Sequence, residues 1–409
     1  MTKSLCRFCG SALRRSFVDL GRSPLSNAFL ATDQLTAMEP HYPLHAYVCE
    51  DCLLVQLPAV ASPEEIFTDY AYFSSFSSSW LSHAEAYAAR MAQELALGPD
   101  SFVVELASND GYLLRHFRRL GIGVLGVEPA ANVAAVAETN GVPTEIAYFG
   151  TATARRLAAG GRRADLIVAN NVLAHVPDLN DFVAGLPILL KPSGSVTVEF
   201  PHLLRLIAGR QFDTIYHEHF SYFSLLVADR VFRRHGLHVF DVDRLPTHGG
   251  SLRIHACHAG AGRPRSERIA AVLAEETRAG LTEPAGYTSF AADVIDVKCQ
   301  VLEFLIGARR AGRSVAGYGA PAKATTLLNY CGIGPELLPY TVDRSPHKQG
   351  RFVPGRQIPI LAPERILTDR PDYLFVLPWN LRDEVLDQMH AVRDWGGRFV
   401  VAIPELQVL

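Results

Sequence analysis

Three apolar strands, each followed by a polar turn and a helix-forming stretch, set the fold of the middle of this chain. Phe102-Val103-Val104-Glu105-Leu106 reads as a strand buried on both faces, because a parallel sheet covered by helices calls for continuous apolar runs. It enters the turn Ala107-Ser108-Asn109-Asp110-Gly111, and a helix is predicted over 112–120. Gly123-Val124-Leu125-Gly126-Val127-Glu128 is a second strand ending in an acid, with a helix predicted over 130–140. This order belongs to doubly wound nucleotide-binding sheets: the turn brings backbone to the ligand, and the acid accepts ribose hydroxyls. The turn lacks the G-x-G-x-x-G of dinucleotide folds, so no pyrophosphate cradle is implied. A third strand runs from Ala164 to Asn170 and exits through Asn171-Val172-Leu173-Ala174-His175. A fourth follows Leu189-Leu190-Lys191-Pro192-Ser193-Gly194 and ends at Glu199. His175 thus falls at a strand's carboxyl edge, where such sheets bind ligands.

In front of this core stand Cys6-x-x-Cys9 and Cys49-x-x-Cys52. Two matched pairs supply the four thiolates of a closed tetrahedral zinc site, which has no open position for catalysis. A front piece of about seventy residues makes a poor core by itself, and a metal substitutes for missing apolar burial. Short strands are predicted at Phe17-Val18-Asp19-Leu20 and Tyr47-Val48. The serine- and aromatic-rich run from Tyr70 to Trp80 is too aromatic for a free linker, and is expected to lie across a pocket mouth.

The densest chemistry lies in Phe212-Asp213-Thr214-Ile215-Tyr216-His217-Glu218-His219-Phe220. The two histidines are two apart, unlike the four-residue spacing of H-E-x-x-H, so acid–base work is preferred over metal binding. A histidine titrates near neutral pH, and a neighbouring carboxylate fixes its tautomer. Further on, Pro246-Thr247-His248-Gly249-Gly250 leads into an apolar strand expected as an antiparallel edge of the core sheet, with His248 facing the pocket.

The tail repeats the nucleotide-fold order. Val315-Ala316-Gly317-Tyr318 is a strand, Gly319-Ala320-Pro321 a turn, and Lys323 sits near the start of the next helix. Tyr340-Thr341-Val342-Asp343 is a second strand ending in an acid, and strands are expected from Tyr373 and Arg398. Backbone N–H groups at a helix start plus a lysine suit a phosphate. Gly319, Lys323 and Asp343 are therefore candidates for gripping a substrate diphosphate. The expected division is 1–70, 71–285 and 286–409.

Composition excludes several classes. The 409 residues carry 39 Lys and Arg against 42 Asp and Glu, a net charge of −3 that argues against a nucleic-acid binder. No apolar run approaches the roughly 18 residues of a membrane span. Seven cysteines make an odd count, which argues against a disulfide framework and for a reducing cytoplasm.

The cysteine pairs, the Glu105-x-Ala107-Ser108-Asn109-Asp110-Gly111 turn and Tyr216-His217-Glu218-His219-Phe220-Ser221-Tyr222-Phe223 together resemble the nucleotide-sugar C-methyltransferases of deoxysugar biosynthesis. The closest type is the C-3 methyltransferases of TDP-linked 4-keto sugars in antibiotic pathways. The turn is similar to the Glu/Asp-x-Gly-x-Gly-x-Gly of S-adenosylmethionine (AdoMet) enzymes, with Ala107 and Asn109 in place of two glycines. The fold implied is α/β: a doubly wound, Rossmann-like AdoMet core, a small N-terminal zinc-binding domain and a smaller Rossmann-like C-terminal domain. The cofactors implied are AdoMet and structural zinc on Cys6, Cys9, Cys49 and Cys52. Glu105, Ala107, Asn109, Gly111, Glu128 and Asn170 map onto the AdoMet site. His219 is implied as the base that removes the C-3 proton, with Tyr216 the rival or partner and Glu218 positioning the histidine. His175 and Tyr72 would line the sugar pocket. The partner implied is a TDP-linked keto sugar, with no nucleic acid or membrane, on a monomer or small homo-oligomer. C-5 methylation, or an O- or N-methyltransferase, is the alternative.

Overall fold

The computed structural model describes residues 4–60, 75 and 78–409, and three sheets organise them. The front sheet is built from β1 (Arg15–Ser23), β2 (Tyr42–Val48) and β3 (Val55–Gln56), all antiparallel. Its cysteine knuckles flank the sheet, and Phe17, Leu44, Ala46 and Val48 are buried beneath it.

The core sheet contains β4 (Phe102–Leu106), β5 (Gly123–Val127), β6 (Thr144–Glu145), β7 (Ala164–Asn170) and β8 (Leu190–Pro201) in parallel. The first three long strands end within a residue or two of the predicted positions, because each is a run of buried aliphatics that only a two-sided sheet satisfies. β8 begins earlier than expected: Leu190 pairs with Ala164 before a register shift that absorbs the Pro192–Gly194 turn.

A short strand, β9 (Ser221–Tyr222), leaves the core and completes the front sheet by pairing antiparallel with β3. The front piece is therefore not closed on itself. β10 (Leu237–Leu245) and β11 (Ser251–His258) then return to the core, giving the strand order β10-β11-β8-β7-β4-β5-β6. β11 pairs antiparallel with β8 as expected, but β10 covers it and is the true edge.

A 21-residue helix, Phe290–Arg310, bridges to the tail. Its buried residues Phe290, Val294, Val297, Val301 and Leu305 recur at three to four positions, the stripe of an amphipathic helix. Phe290 stacks on Phe17 of β1 at 4.6 Å between ring centroids, so this helix also braces the front sheet. The tail sheet has β12 (Val315–Tyr318), β13 (Thr341–Val342), β14 (Ile360–Leu361), β15 (Tyr373–Val376), β16 (Arg398–Val401) and β17 (Gln407–Val408), ordered β14-β13-β12-β15-β16-β17. Only β17 is antiparallel. The strand order reverses between β12 and β15, which puts a crevice at their carboxyl ends.

Candidate active site

The turn after β4 is shaped by backbone conformations that side chains rarely adopt. Ala107, Asn109 and Gly111 all have positive φ, at 53°, 49° and 76°. At Gly111 a Cβ would also lie 2.9 Å from Val142 Cγ2, so this glycine is required twice over. Glu128, at the end of β5, accepts hydrogen bonds from the Asn109 and Ala130 amides, each at 2.9 Å. Burial pushes the Glu128 carboxyl up, and these two amides oppose the shift.

The turn leaves polar atoms without protein partners. Glu105 Oε2, Ser108 Oγ, Asp110 Oδ1 and Asn170 Oδ1 are buried and unbonded among the described residues. Burial holds the Glu105 carboxyl well above the usual range. A site with orphaned acceptors clustered round one sheet edge fits a ligand that brings donors, as the ammonium and ribose hydroxyls of AdoMet do. The Ser75 amide donates to Asp110 Oδ2 at 3.2 Å, so the chain preceding the Ser78–Glu94 helix touches this turn. Tyr72 lies outside the described residues.

Beyond the carboxyl ends of β7 and β8 lies a cluster of histidines. His175 sits in the short turn after β7, and its ring meets His219 edge-to-face at 4.6 Å. Tyr216 lies over the His219 ring at 4.0 Å. His219 Nδ1 is 2.9 Å from the Thr214 carbonyl. A carbonyl only accepts, so Nδ1 carries the hydrogen and Nε2 keeps the lone pair. Burial, and then the His175 ring, hold His219 well below its ordinary range; burial takes His175 and His248 to about 4. All three imidazoles are neutral at neutral pH. Each is crowded by protein yet keeps an exposed edge, as a pocket wall does.

Glu218 does not position His219. Its side chain points the other way, accepting a hydrogen bond from Asn27 Nδ2 of the front piece at 2.7 Å, and burial raises its carboxyl to about 7. His217 likewise faces the front piece, its Nε2 3.2 Å from the Pro43 carbonyl. The segment thus presents Tyr216 and His219 to the pocket and His217 and Glu218 to the front domain. The positioning group for His219 is the Thr214 carbonyl, five residues away on the same turn.

His248 is in the left-handed region, at φ 53° and ψ 27°. Such a backbone costs a non-glycine residue about 1–2 kcal/mol. It is held by Thr247 Oγ1, which donates to Glu199 Oε1 at 2.9 Å, and by Trp80, whose ring lies 5.6 Å away. Glu199 is fully buried at the end of β8. Burial opposes its charge, but His83, Arg253 and Thr247 together hold its carboxyl below the ordinary range. Arg253 Nη2 reaches Glu199 Oε2 at 2.6 Å. His83, Glu199 and Arg253 were absent from the sequence expectation; the acid ending strand four was the one available signal.

The tail turn behaves differently from its expected role. Asp343 Oδ2 accepts from the Ala320 amide at 2.7 Å, and Oδ1 from the Ser345 amide at 2.8 Å. The amide expected to hold a phosphate is therefore already taken by the protein's own carboxylate. Gly319, at φ 86°, brings backbone against Pro378, which a Cβ would meet at 2.7 Å. Lys323 turns away from this nest. Its Nζ donates to Asn380 Oδ1 at 2.7 Å and lies 4.5 Å over the Trp379 ring. Trp379 Nε1 donates to Asp213 Oδ2 at 2.8 Å, and burial raises Asp213 to about 6 despite Lys323 nearby. Burial lowers Lys323, and its charge is felt at His219 and His248. Lys323 of the tail thus lies close enough to the histidine cluster for its charge to act on it.

In the front piece the Sγ atoms of Cys6, Cys9, Cys49 and Cys52 lie within 4.8 Å of one another, with Cys6–Cys52 and Cys9–Cys49 at 3.5 Å. Four sulfurs about 2.3 Å from one ion stand roughly 3.8 Å apart in a tetrahedron, so the quartet fits zinc.

Comparisons with known proteins settle the class. A methyltransferase domain model matches residues 80–242, a C-methyltransferase C-terminal domain model matches 246–404, and a zinc binding domain model matches 6–67. C-methyltransferase NovU of Streptomyces niveus is 37% identical over 404 residues, covering 99% of this chain and 96% of that protein. The chain belongs to the C-methyltransferase family. Ubiquinone biosynthesis O-methyltransferases of Bartonella tribocorum and Methylobacterium sp. are similar over only 24% of the chain, at 31% and 33% identity, covering 39% and 41% of those proteins. The C-methyltransferase therefore takes its methyl group from AdoMet and carries structural zinc on the quartet Cys6, Cys9, Cys49 and Cys52. None of its described helices is long and apolar enough to cross a membrane.

Proposed function

We propose that this C-methyltransferase removes the C-3 proton of a TDP-linked 4-keto-deoxysugar and methylates the resulting enolate carbon, within a deoxysugar pathway of antibiotic biosynthesis. The observation that carries this reading is the tautomer of His219. With Nδ1–H committed to Thr214, the Nε2 lone pair is left for the pocket. Oxygen or nitrogen acceptors need less help, whereas a carbon acid needs a base at the reacting carbon.

AdoMet supplies a methyl group already activated on a sulfonium, so the protein's task is to make and hold the carbanion. His219 accepts the proton. The imidazolium that forms lies between the Thr214 carbonyl and the Tyr216 ring, both of which favour positive charge. Lys323 stabilises the enolate oxygen developing from the 4-ketone, and Asp213 and Asn380 hold its ammonium in place. His175 and His248 line the sugar site as neutral hydrogen-bonding groups. Glu105, Ala107, Asn109, Gly111, Glu128 and Asn170 hold AdoMet. This assigns Lys323 to the ketone rather than the diphosphate, because its ammonium points into the histidine pocket.

The test is incubation with AdoMet and a panel of TDP-4-keto-deoxysugars, read by mass spectrometry, with C-3 exchange in deuterated water measured without AdoMet. His219→Asn is expected to slow both exchange and methylation by about 100-fold or more, with AdoMet affinity unchanged. Methylation on oxygen, or full turnover by that variant, would overturn the reading.

A further inference from the structure

Arg7 ties the zinc-bearing front piece to the segments that bear His175 and His219. Arg7 lies between Cys6 and Cys9, inside the first knuckle. Its guanidinium donates to the backbone carbonyls of Pro177, at 2.9 Å, and Leu57. It also lies over the Phe220 ring, 5.2 Å from the centroid. The knuckle is fixed in turn: the Arg7 amide donates to Gln56 Oε1 at 2.9 Å, and Asn180 Nδ2 donates to the Arg7 and Phe8 carbonyls at 3.0 Å.

These acceptors belong to the two segments that present the pocket histidines. Pro177 closes the turn that bears His175. Phe220 follows His219 directly; its amide donates to the Ala174 carbonyl at 2.7 Å and its carbonyl accepts from the Leu57 amide at 3.0 Å. β3 then pairs with β9 immediately after. Among the described residues Arg7 has no carboxylate partner, only carbonyls and a ring face. The one anionic group acting on it from the knuckle is the neighbouring Cys6 sulfur, so its two carbonyl bonds hold geometry rather than complete an ion pair.

We propose that Arg7 is a positioning residue for methyl transfer: from the zinc knuckle it sets the spacing of the His175 turn and the His219 segment, so that the two rings meet at 4.6 Å. This rests on the reading of His219 as the base. Arg7→Met keeps the unbranched stem and loses both carbonyl bonds; Arg7→Lys keeps the charge. Arg7→Met is expected to lower kcat by about 10- to 100-fold, with zinc content and AdoMet affinity unchanged, to move the acid limb of the pH–rate profile, and to shift the His175 and His219 imidazole NMR signals. Arg7→Lys is expected to recover part of kcat. If Arg7→Met does not fold, Arg7→Lys decides: a loss of at least about threefold at full zinc content and unchanged melting temperature supports the role, and wild-type kcat rejects it. A kcat loss that only tracks zinc loss, or unmoved imidazole signals, also overturns it. If His219→Asn stays fully active while Arg7→Met still moves the signals, the positioning stands and the base assignment falls.

Discussion

Two turns of this molecule share a plan and differ in what they leave open. Each is a strand, a turn with a left-handed residue, a helix and a second strand whose closing acid folds back onto turn amides. After β4 that acid is Glu128, on the Asn109 and Ala130 amides. After β12 it is Asp343, on the Ala320 and Ser345 amides. Around the first turn, one buried oxygen each of Glu105, Asp110 and Asn170 has no partner among the described residues. Around the second, the amides are satisfied internally and Lys348 stands 3.7 Å from Asp343. The first turn is built for a ligand and the second for itself. The difference teaches that topology alone does not make a binding site; unsatisfied polar atoms do.

The sharpest test of this contrast is Lys323, which follows the second turn yet acts by its charge on His219 and His248. Lys323→Met is expected to slow C-3 exchange and methylation by about 100-fold, as loss of an oxyanion partner does, with AdoMet affinity unchanged by calorimetry. Next in size is Glu128→Ala against Asp343→Ala. The first is expected to weaken AdoMet binding by about 30- to 100-fold, since charged hydrogen bonds are lost. The second is expected to leave AdoMet affinity alone and lower the melting temperature by a few degrees, about what two unpaired amides cost. Weaker AdoMet binding by Asp343→Ala would break the contrast.

A third test uses protons. Burial keeps Glu105 protonated above the usual range in the free enzyme, and the positive charge of AdoMet favours its ionised form. Binding then releases a proton, so affinity is expected to rise with pH, by at most about tenfold per unit. Calorimetry in two buffers of different ionisation heat reads the release, and Glu105→Gln should abolish it. The smallest expected effect is Asn170→Ala: one neutral hydrogen bond, about fivefold in AdoMet affinity.

The locally encoded parts were legible. Cysteine spacing delivered the metal quartet, and the strand–turn–acid order delivered the left-handed turn closed by Glu128, because their defining residues lie within short stretches of chain. The polar cluster around Tyr216 and His219 was also visible as a run. The direction of each side chain in that run was not. Glu218 looks like a partner for His219 by adjacency, yet it bonds Asn27, 191 positions away. Lys323 looks like a phosphate lysine beside its glycine turn, yet it bonds Asn380 and its charge is felt by Asp213 of the short turn Phe212–Thr214. Asp213 and Glu199 stood in quoted segments, but nothing local marks a carboxylate as buried.

By itself the sequence determined the three-sheet plan, the zinc quartet and the strand–turn–acid order of the β4–β5 turn, because periodicity and short spacing write these directly into the chain. Only the tertiary structure decided that β9 closes the front sheet, that Arg7 reaches the His175 turn and that the tail's Lys323 comes near Asp213 and the histidine cluster. Those outcomes depend on which distant backbone carbonyl or carboxylate a buried polar group finds once the chain has collapsed. A buried donor must be satisfied, but the sequence does not say by which partner.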